Sequence, residues 1–350
     1  MSNSTHETLI GLVSQYSPSG QERGAVEWLV ARMKSLGYDN AYMDEAGNAV
    51  GLMGHGPKQV ILLGHIDTVP GEIIVERDTS SLYGRGSIDA KGPLACFVDA
   101  VAQVGVIDEW QFVVIGAVEE ERDSQGARFV ATQYKPDFAI IGEPNHWDRI
   151  ALGYKGSAWA NVTVKRGQIH TASGEQTAAE AAVDIWLKIK SCVHSFNADK
   201  QKVFDKLLLT LRGMDSGSND FEQWARLKVG VRLPVDVSPD DWYGKLSEIA
   251  EDAKVERTGF SIPAWRCEKN TQLVRAFLKG IRSQGGEPRF IYKTGTADLN
   301  IVAPVWKCPS LVYGPGDSAL DHTPHEYIEL EEYKKAVDVL SEALKGLVKS

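Results

Sequence analysis

Residues 60–70 read Val60-Ile61-Leu62-Leu63-Gly64-His65-Ile66-Asp67-Thr68-Val69-Pro70, an apolar run that leads into a polar turn. A run that is apolar on both faces is typical of a strand buried in a parallel sheet. Ligands of open parallel sheets bind outside the carboxyl ends of the strands, so His65 and Asp67 are candidates for a binding edge. Alternate residues at a strand end point the same way, so Asp67 can hydrogen-bond the ring of His65, as carboxylates do behind metal-bound histidines. The alternative is that both residues have structural roles in a loop.

Similar apolar runs occupy residues 112–118 and 138–141, and helical patterns at 93–105 and 126–134 separate them. This alternation predicts parallel βαβ units, and therefore an α/β fold for the first 150 residues. An amphipathic helix is predicted over residues 20–36, with a capping box formed by Ser19 and Glu22 at its start.

The pattern changes near residue 154. Residues 159–165 alternate between apolar and polar, a helical pattern covers 176–193, and strand, helix and strand patterns follow up to residue 258. After Ile262-Pro263 the α/β pattern returns and ends in a long amphipathic helix. We therefore expect a main α/β domain of residues 1–153 and 262–350, interrupted by an α+β domain of residues 154–261.

Composition excludes several classes of protein. The 350 residues include 47 acids and 38 bases, a net charge of −9, which argues against a general nucleic-acid binder. The four cysteines are far apart and show no CxxC spacing, as expected for reduced thiols in a cytoplasmic protein. The sequence shows neither a secretion signal nor a window of about 18 apolar residues, so we expect no membrane partner.

Four further polar motifs accompany residues 60–70: Gly84-Arg85-Gly86-Ser87-Ile88-Asp89-Ala90-Lys91-Gly92, Glu119-Glu120-Glu121, Gly142-Glu143-Pro144 and Asp321-His322-Thr323-Pro324-His325-Glu326. Most of the five motifs directly follow a predicted strand or precede a predicted helix. The glycine motif lacks the spacing of a dinucleotide or phosphate loop. A set of histidines and carboxylates without cysteine favours a hydrolytic metal site, of which some hold two metals about 3.5–4 Å apart. Taken singly, the acidic triplet could equally be a solvated helix start and the glycine motif a plain turn.

In their order and intervals these motifs resemble the M20 metallopeptidases, a family that includes acetylornithine deacetylase, succinyl-diaminopimelate desuccinylase, aminoacylase and carboxypeptidase G. The resemblance covers essentially the whole chain. It implies a zinc-peptidase-like catalytic domain with an inserted lid and dimerisation domain. It also implies two divalent metal ions per subunit, zinc or alternatively cobalt, and a homodimer or a dimer of dimers.

By position, the resemblance implies two metal sites that share one ligand: His65, Asp89 and Glu143 hold one metal, and Asp89, Glu121 and His322 hold the other. Asp67 would support His65 from behind, and Glu120 would be the catalytic base. Three consecutive glutamates leave this register open by one residue, and the interval to Gly126 favours Glu120 as base and Glu121 as ligand.

Two residues of the inserted domain also match the family. His170 stands at the position of a histidine that reaches the partner subunit's active site, and Arg232 at that of an arginine that binds a substrate carboxylate. The alternatives are a surface histidine and an exposed strand charge. His325 departs from the family, where relatives often have Asn or Asp.

Within the family, the motifs are most similar to those of hydrolases that release lysine or ornithine from an amino-group carrier protein, LysW, in lysine and arginine biosynthesis. The segment Lys293-Thr294-Gly295-Thr296-Ala297-Asp298-Leu299-Asn300 contributes most to this similarity. Such enzymes cleave the amide on the carrier's C-terminal glutamate side chain. Residues 188–232 hold nine bases and five acids, a net charge of +4. This basic segment could attract an acidic carrier protein toward the site, or it could be an ordinary solvated helix face. Two other functions stay open: deacylation of a free small molecule such as acetylornithine, acetyl-lysine or succinyl-diaminopimelate, and non-catalytic binding on the same scaffold.

Overall fold

A computed structural model describes residues 6–170 and 172–348, which form two compact units. The main unit comprises the chain up to Gly153, Cys267–Tyr292 and the chain from Ala297 onward. The inserted unit comprises Tyr154–Arg266 together with Lys293–Thr296. The inserted unit thus extends beyond the boundary at 261 expected from the sequence, and it includes a short segment that the sequence places in the main domain.

The main unit begins with the following elements: α1 (Glu7–Val13), α2 (Arg23–Ser35), β1 (Asn40–Met43), β2 (Ala49–Met53), β3 (Lys58–His65), β4 (Glu76–Arg77), β5 (Ser81–Tyr83), α3 (Lys91–Val104), β6 (Trp110–Ala117), α4 (Gln125–Gln133), β7 (Phe138–Gly142) and β8 (Arg149–Tyr154). The inserted unit follows: β9 (Gly156–Gly167), α5 (Ala178–Asn197), a 3₁₀ turn (Val203–Asp205), β10 (Leu208–Ser218), β11 (Glu222–Leu233), α6 (Pro239–Ala250), β12 (Lys254–Arg257) and β13 (Trp265–Arg266). The main unit then resumes: α7 (Gln272–Ser283), β14 (Arg289–Lys293), α8 (Leu299–Trp306), β15 (Ser310–Tyr313), a 3₁₀ turn (Ser318–Leu320), β16 (Tyr327–Glu329) and α9 (Leu330–Val348).

The large sheet of the main unit runs in the order β1-β2-β6-β3-β7-β15-β8, with β14 also paired to β8. Strands β6, β3, β7 and β15 are mutually parallel, whereas β1, β2 and β8 pair antiparallel at the flanks. The predicted α/β class is confirmed. Because parallel strands end at one edge, the residues after His65, Ala117, Gly142 and Tyr313 emerge on the same side of the sheet.

The parallel strands are buried on both faces, as their unbroken apolar runs require. Ile61, Phe112 and Ile140 are fully buried, and Phe97 of α3 is equally enclosed. Removing an apolar side chain of this size from water contributes about 1.5–3 kcal/mol of folding free energy. This core holds the strand ends in fixed relative positions.

A buried carboxylate joins three helices of the main unit. Asp99 of α3 accepts hydrogen bonds from the hydroxyl of Thr8 in α1 and from the hydroxyl of Tyr333 in α9, the latter at 2.7 Å. Burial raises the pKa of Asp99 above its usual range, although these hydrogen bonds and the charge of Arg32 act to lower it. Asp99 therefore links α1, α3 and α9 by hydrogen bonds inside an otherwise apolar layer of helices.

The inserted unit is an antiparallel sheet in the order β10-β11-β9-β12, with α5 and α6 on one face. Alternate residues of β9, such as Ala160 and Val162, are buried against the helices, whereas Trp159 and Asn161 are partly exposed on the other face. This matches the half-exposed strand predicted over 159–165. Both helices begin with capping boxes, at Thr177 and at Ser238.

Lys155 is a fully buried cation in the inserted unit. Its Nζ donates to the carbonyl of Phe204 at 2.9 Å and to that of Lys206. Burial lowers the pKa of Lys155 to about 8. These bonds tie the start of the unit to the segment before β10.

Among the described residues, no helix has both the length and the apolar character needed to cross a membrane.

Candidate metal centre

The predicted site residues of the main unit meet at the carboxyl edge of its sheet. They come from the end of β3, the loop before α3, the turn after β6, the turn after β7 and the loop before β16: His65, Asp89, Glu120 and Glu121, Glu143, and His322. Possible ligand atoms lie within 4.8 Å of one another in three groups: His65 with Asp89 and Glu143, His65 with Glu120 and Glu121, and Asp89 with Glu121 and His322. The first and third groups have the same members as the two sets implied by the sequence resemblance.

Asp89 lies between the two histidines. Its Oδ1 is 3.1 Å from Nε2 of His65, and its Oδ2 is 3.0 Å from Nε2 of His322. Nε2 of His322 is also 2.9 Å from Oε1 of Glu121. A carboxylate that presents one oxygen to each side has the geometry needed to bridge two cations.

Asp67 supports His65 less directly than the sequence suggested. Nδ1 of His65 lies 3.0 Å from the main-chain oxygen of Asp67 and 3.4 Å from its carboxylate Oδ1. These oxygens favour a proton on Nδ1, so Nε2 is the ring nitrogen that would bind a cation. Burial acts to raise the pKa of Asp67, but the hydrogen bond and charge of His65 outweigh it and the pKa lies below its usual range.

The carboxylate of Asp67 also organises the acidic triplet. It accepts hydrogen bonds from the backbone N–H of Glu120 at 3.0 Å and of Glu121 at 3.1 Å. A third bond, at 2.7 Å, comes from the hydroxyl of Ser19. The predicted capping box of Ser19 and Glu22 is therefore wrong: α2 begins at Arg23 without a side-chain cap. The hydroxyl of Ser19 instead donates to the buried carboxylate of Asp67, because a charged acceptor makes a stronger hydrogen bond than a neutral one.

The three glutamates of the triplet have different surroundings. Glu119 adopts a left-handed backbone, with φ of 61°, and its carboxylate is 3.1 Å from Nη2 of Arg122. Glu121 contacts His322, as described above. Burial raises the pKa of Glu120 well above its usual range, and the carboxylates of Glu143 and Asp298 raise it further against the opposing charge of His65.

Asp298, which precedes α8, is a further buried acid that the site prediction missed. Burial and the charge of Asp67 raise its pKa to about 7, while His65 acts to lower it. The sequence signal was its place in the 293–300 motif, which we used only for substrate similarity.

The donor set fits a pair of divalent cations. Burial, and in addition the charge of neighbouring carboxylates, raises the pKa of Glu120, Glu121 and Glu143. Neighbouring buried carboxylates repel one another unless a proton or a cation compensates them. Imidazole and carboxylate ligands without thiolates suit borderline or hard cations such as zinc, cobalt or manganese.

The two remaining predicted residues belong to the inserted unit. His170 is exposed before α5, and its Nδ1 accepts a hydrogen bond from the backbone N–H of Ala172 at 3.1 Å. Arg232 is partly buried in β11, and its Nη1 donates to Oγ1 of Thr296 at 3.3 Å. Neither residue is part of the main-unit cluster.

Comparison with known proteins gives the class of this protein. Residues 61–346 match Peptidase family M20/M25/M40. An M20-family metallo-carboxypeptidase from Sulfolobus solfataricus has a similar structure, with a TM-score of 0.78 and 18% identity over 99% of this chain and 100% of that one. A dinuclear metal-binding M20 peptidase from Bacillus subtilis has a TM-score of 0.72 and 13% identity over 99% and 97% of the two chains.

Among curated proteins, a LysW-lysine hydrolase from Deinococcus radiodurans is 43% identical over 345 residues, which cover 96% of this chain and 95% of that one. The chain belongs to peptidase family M20. It is accordingly a metal-dependent hydrolase of amide bonds.

Proposed function

We propose that the protein hydrolyses the amide that joins lysine, or ornithine, to the C-terminal glutamate side chain of an amino-group carrier protein of the LysW type. The observation that carries this proposal is the 43% identity, over nearly the full length of both chains, to a protein named as a LysW-lysine hydrolase. The reaction belongs to lysine and arginine biosynthesis in the cytoplasm.

The ligand assignment is part of the proposal. His65, Asp89 and Glu143 would hold one divalent cation and Asp89, Glu121 and His322 the other, with zinc favoured and cobalt as the alternative. When bound, the cations polarise the amide carbonyl and lower the pKa of the attacking water. The 3.0 and 3.1 Å contacts of Asp89 with the two histidines support its bridging role.

Glu120 takes the proton of the attacking water and returns it to the departing nitrogen. A general base must lie within hydrogen-bond reach of the proton that it removes, and the carboxylate of Glu120 lies in the cluster beside His65 and Glu121. The main chain of Glu120 is fixed by the hydrogen bond to Asp67, and Asp67 also fixes the ring of His65. One residue, Asp67, therefore aligns the base through its carboxylate and a ligand through its main-chain oxygen.

A basic surface of the inserted unit supports a protein substrate. Arg212, Arg226 and Lys228 line a cavity of about 790 Å³ on the sheet face that carries Trp159. Asp215 is the acid among the lining residues. A surface of this size and charge suits an acidic polypeptide better than a free N-acyl amino acid.

The test uses purified, metal-loaded enzyme with carrier-linked lysine, carrier-linked ornithine and acetyl-lysine, followed by mass spectrometry of the intact carrier and of the free amino acid. We expect release of lysine or ornithine from the carrier and much slower turnover of acetyl-lysine. Faster turnover of acetyl-lysine would identify a small-molecule deacylase. No hydrolysis of any substrate with metal bound would identify a binding protein.

We also propose that the enzyme is a homodimer, or a dimer of dimers, in which His170 of one subunit stabilises the reacting carbonyl oxygen in the other, and Arg232 binds a substrate carboxylate. Complementation tests this arrangement. In a mixture of Glu120→Gln and His170→Ala subunits, about half of the dimers are mixed and each has one site with both residues intact, so activity should recover to about a quarter of wild type. If His170 acted within its own subunit, no mixed dimer would contain an intact site and activity would not recover.

A further inference from the structure

Glu326 is a buried carboxylate that lies outside the proposed ligand set. It is 1% exposed. Its Oε1 accepts hydrogen bonds from the backbone N–H of Ile88 at 2.8 Å and of Asp89 at 3.0 Å. Its Oε2 accepts from the backbone N–H of Gly86 at 3.0 Å and from Nη1 of Arg85 at 3.0 Å. Both oxygens are therefore engaged by the loop that carries Asp89.

Strand pairing brings Glu326 to this loop. β16 and β5 are antiparallel with Tyr327 opposite Tyr83, so the next pair along is Glu326 and Gly84. The backbone N–H of Gly84 donates to the main-chain oxygen of Glu326 at 3.3 Å. The loop before β16 and the loop after β5 thus leave the sheet side by side.

Arg85 strengthens the connection between the loops. Besides its ion pair with Glu326, Nη1 donates to the carbonyl of Thr323 at 3.1 Å, and Nε donates to the carbonyl of Gly71 at 2.8 Å. Thr323 directly follows His322. The guanidinium of Arg85 therefore contacts both the main chain next to His322 and the carboxylate of Glu326. The first contact holds the loop of one proposed ligand, and Glu326 holds the loop of Asp89.

His322 has few constraints of its own. Its side chain is 51% exposed, and its backbone is left-handed, with φ of 61°. It nevertheless approaches Asp89 to 3.0 Å. Glu326, four residues after His322, bonds the backbone N–H of Asp89 itself, so it fixes the two loops at the separation at which these side chains meet.

We propose that Glu326 is a positioning residue that sets the spacing of Asp89 and His322 for metal binding. This inference rests on the ligand roles given under the proposed function. The charge of Glu326 matters as well as its shape: a glutamine amide nitrogen cannot accept a hydrogen bond, so Glu326→Gln loses the bonds made by one oxygen.

The experiment is calorimetric titration of zinc into metal-stripped wild-type protein, Glu326→Gln and the control Glu329→Gln, which alters an exposed carboxylate in β16. We expect Glu326→Gln to weaken zinc affinity about 10- to 100-fold, the range typical of residues that orient metal ligands, and Glu329→Gln to bind as the wild type does. Raising the zinc concentration should restore most of the turnover of Glu326→Gln, which a purely structural defect would not allow.

A folded Glu326→Gln variant with wild-type zinc affinity would overturn the inference. If that variant does not fold, Arg85→Lys decides in the same titration, because it keeps the positive charge but loses the planar guanidinium whose Nη1 donates to both Glu326 and Thr323 while Nε donates to Gly71. Weaker zinc binding then supports the inference, and unchanged binding overturns it. Failure of the proposed function would look different, since wild-type protein itself would bind no zinc or leave carrier-lysine intact.

Discussion

Replacing Glu120 with glutamine removes the proposed base while leaving its surroundings almost unchanged. The hydrogen bond from Glu120 to Asp67 is made by the main chain, so the substitution keeps it. The substitution also removes one carboxylate from a cluster in which burial and the neighbours Glu143 and Asp298 already disfavour its charge. We therefore expect Glu120→Gln to fold and to bind metal.

The loss should appear in turnover. General acid–base catalysis contributes about 10²–10⁴-fold, so kcat should fall by that factor, which corresponds to about 2.7–5.4 kcal/mol of transition-state stabilisation. KM should change little, because the proposed base acts on the attacking water in the transition state rather than on the bound carrier. Steady-state release of lysine from the carrier, with the metal content of each sample measured, provides the assay.

Glu119→Gln is the matched control, since it makes the same chemical change one residue earlier. Glu119 faces Arg122, and a partly exposed ion pair of this kind is worth at most about 1 kcal/mol. We therefore expect Glu119→Gln to retain most of the wild-type activity. The reasoning is refuted if Glu120→Gln with metal bound keeps more than about a tenth of wild-type kcat, or if Glu119→Gln loses more than Glu120→Gln does.

Three further predictions concern the rest of the chain. The pKa of Asp99 is raised on folding, so the stability linked to it is present in full below the unfolded pKa of about 4 and is lost as the pH rises through the folded pKa. Asp99→Asn should therefore gain thermal stability relative to wild type as the pH is raised, and a constant difference in melting temperature would contradict this. Lys155→Met removes the donor to a buried carbonyl and to a partly buried one and should cost about 2–5 kcal/mol of unfolding free energy, measured by denaturant titration against Lys190→Met; a loss no larger than that of the control would argue against the role of Lys155. The double variant Arg226→Glu, Lys228→Glu should raise KM for carrier-lysine and leave acetyl-lysine turnover unchanged; equal effects on both substrates would exclude a carrier-docking role for this surface.

The sheet and the location of the site could be predicted from the sequence because both depend on local patterns. Strands buried on two faces are unbroken apolar runs, and the polar residues that follow them come together wherever parallel strands end. His65, the acidic triplet and Glu143 were placed at this edge in this way, whereas the choice of Glu121 within the triplet came from the family resemblance. The inserted unit was visible because one solvated sheet face imposes strict alternation on β9.

Contacts between distant segments could not be predicted in the same way. Ser19 has the spacing of a helix cap, yet it donates to Asp67, because a buried carboxylate 48 residues away offers a better acceptor than the first turn of α2. Glu326 sits in a motif that we used only for its histidines, and its partners lie 237 or more positions earlier in the chain. The segment Lys293–Thr296 joins the inserted unit through contacts such as that of Thr296 with Arg232, which no local pattern encodes.

The acids of the centre perform two kinds of work. Asp89, Glu121 and Glu143 present oxygens to the cluster. Asp67 and Glu326 instead accept hydrogen bonds from the main chain of the loops that carry Glu121 and Asp89, respectively. A side chain at a loop tip can approach a cation in many geometries, but a loop whose N–H groups are bound to a buried carboxylate has few. Asp67 thus fixes His65 and the triplet, and Glu326 fixes Asp89 relative to His322. In the proposed centre, whose ligands come from five segments of the chain, ligand placement would then depend on two carboxylates outside the proposed ligand set, and substitution of either should weaken metal binding at the ligands it supports.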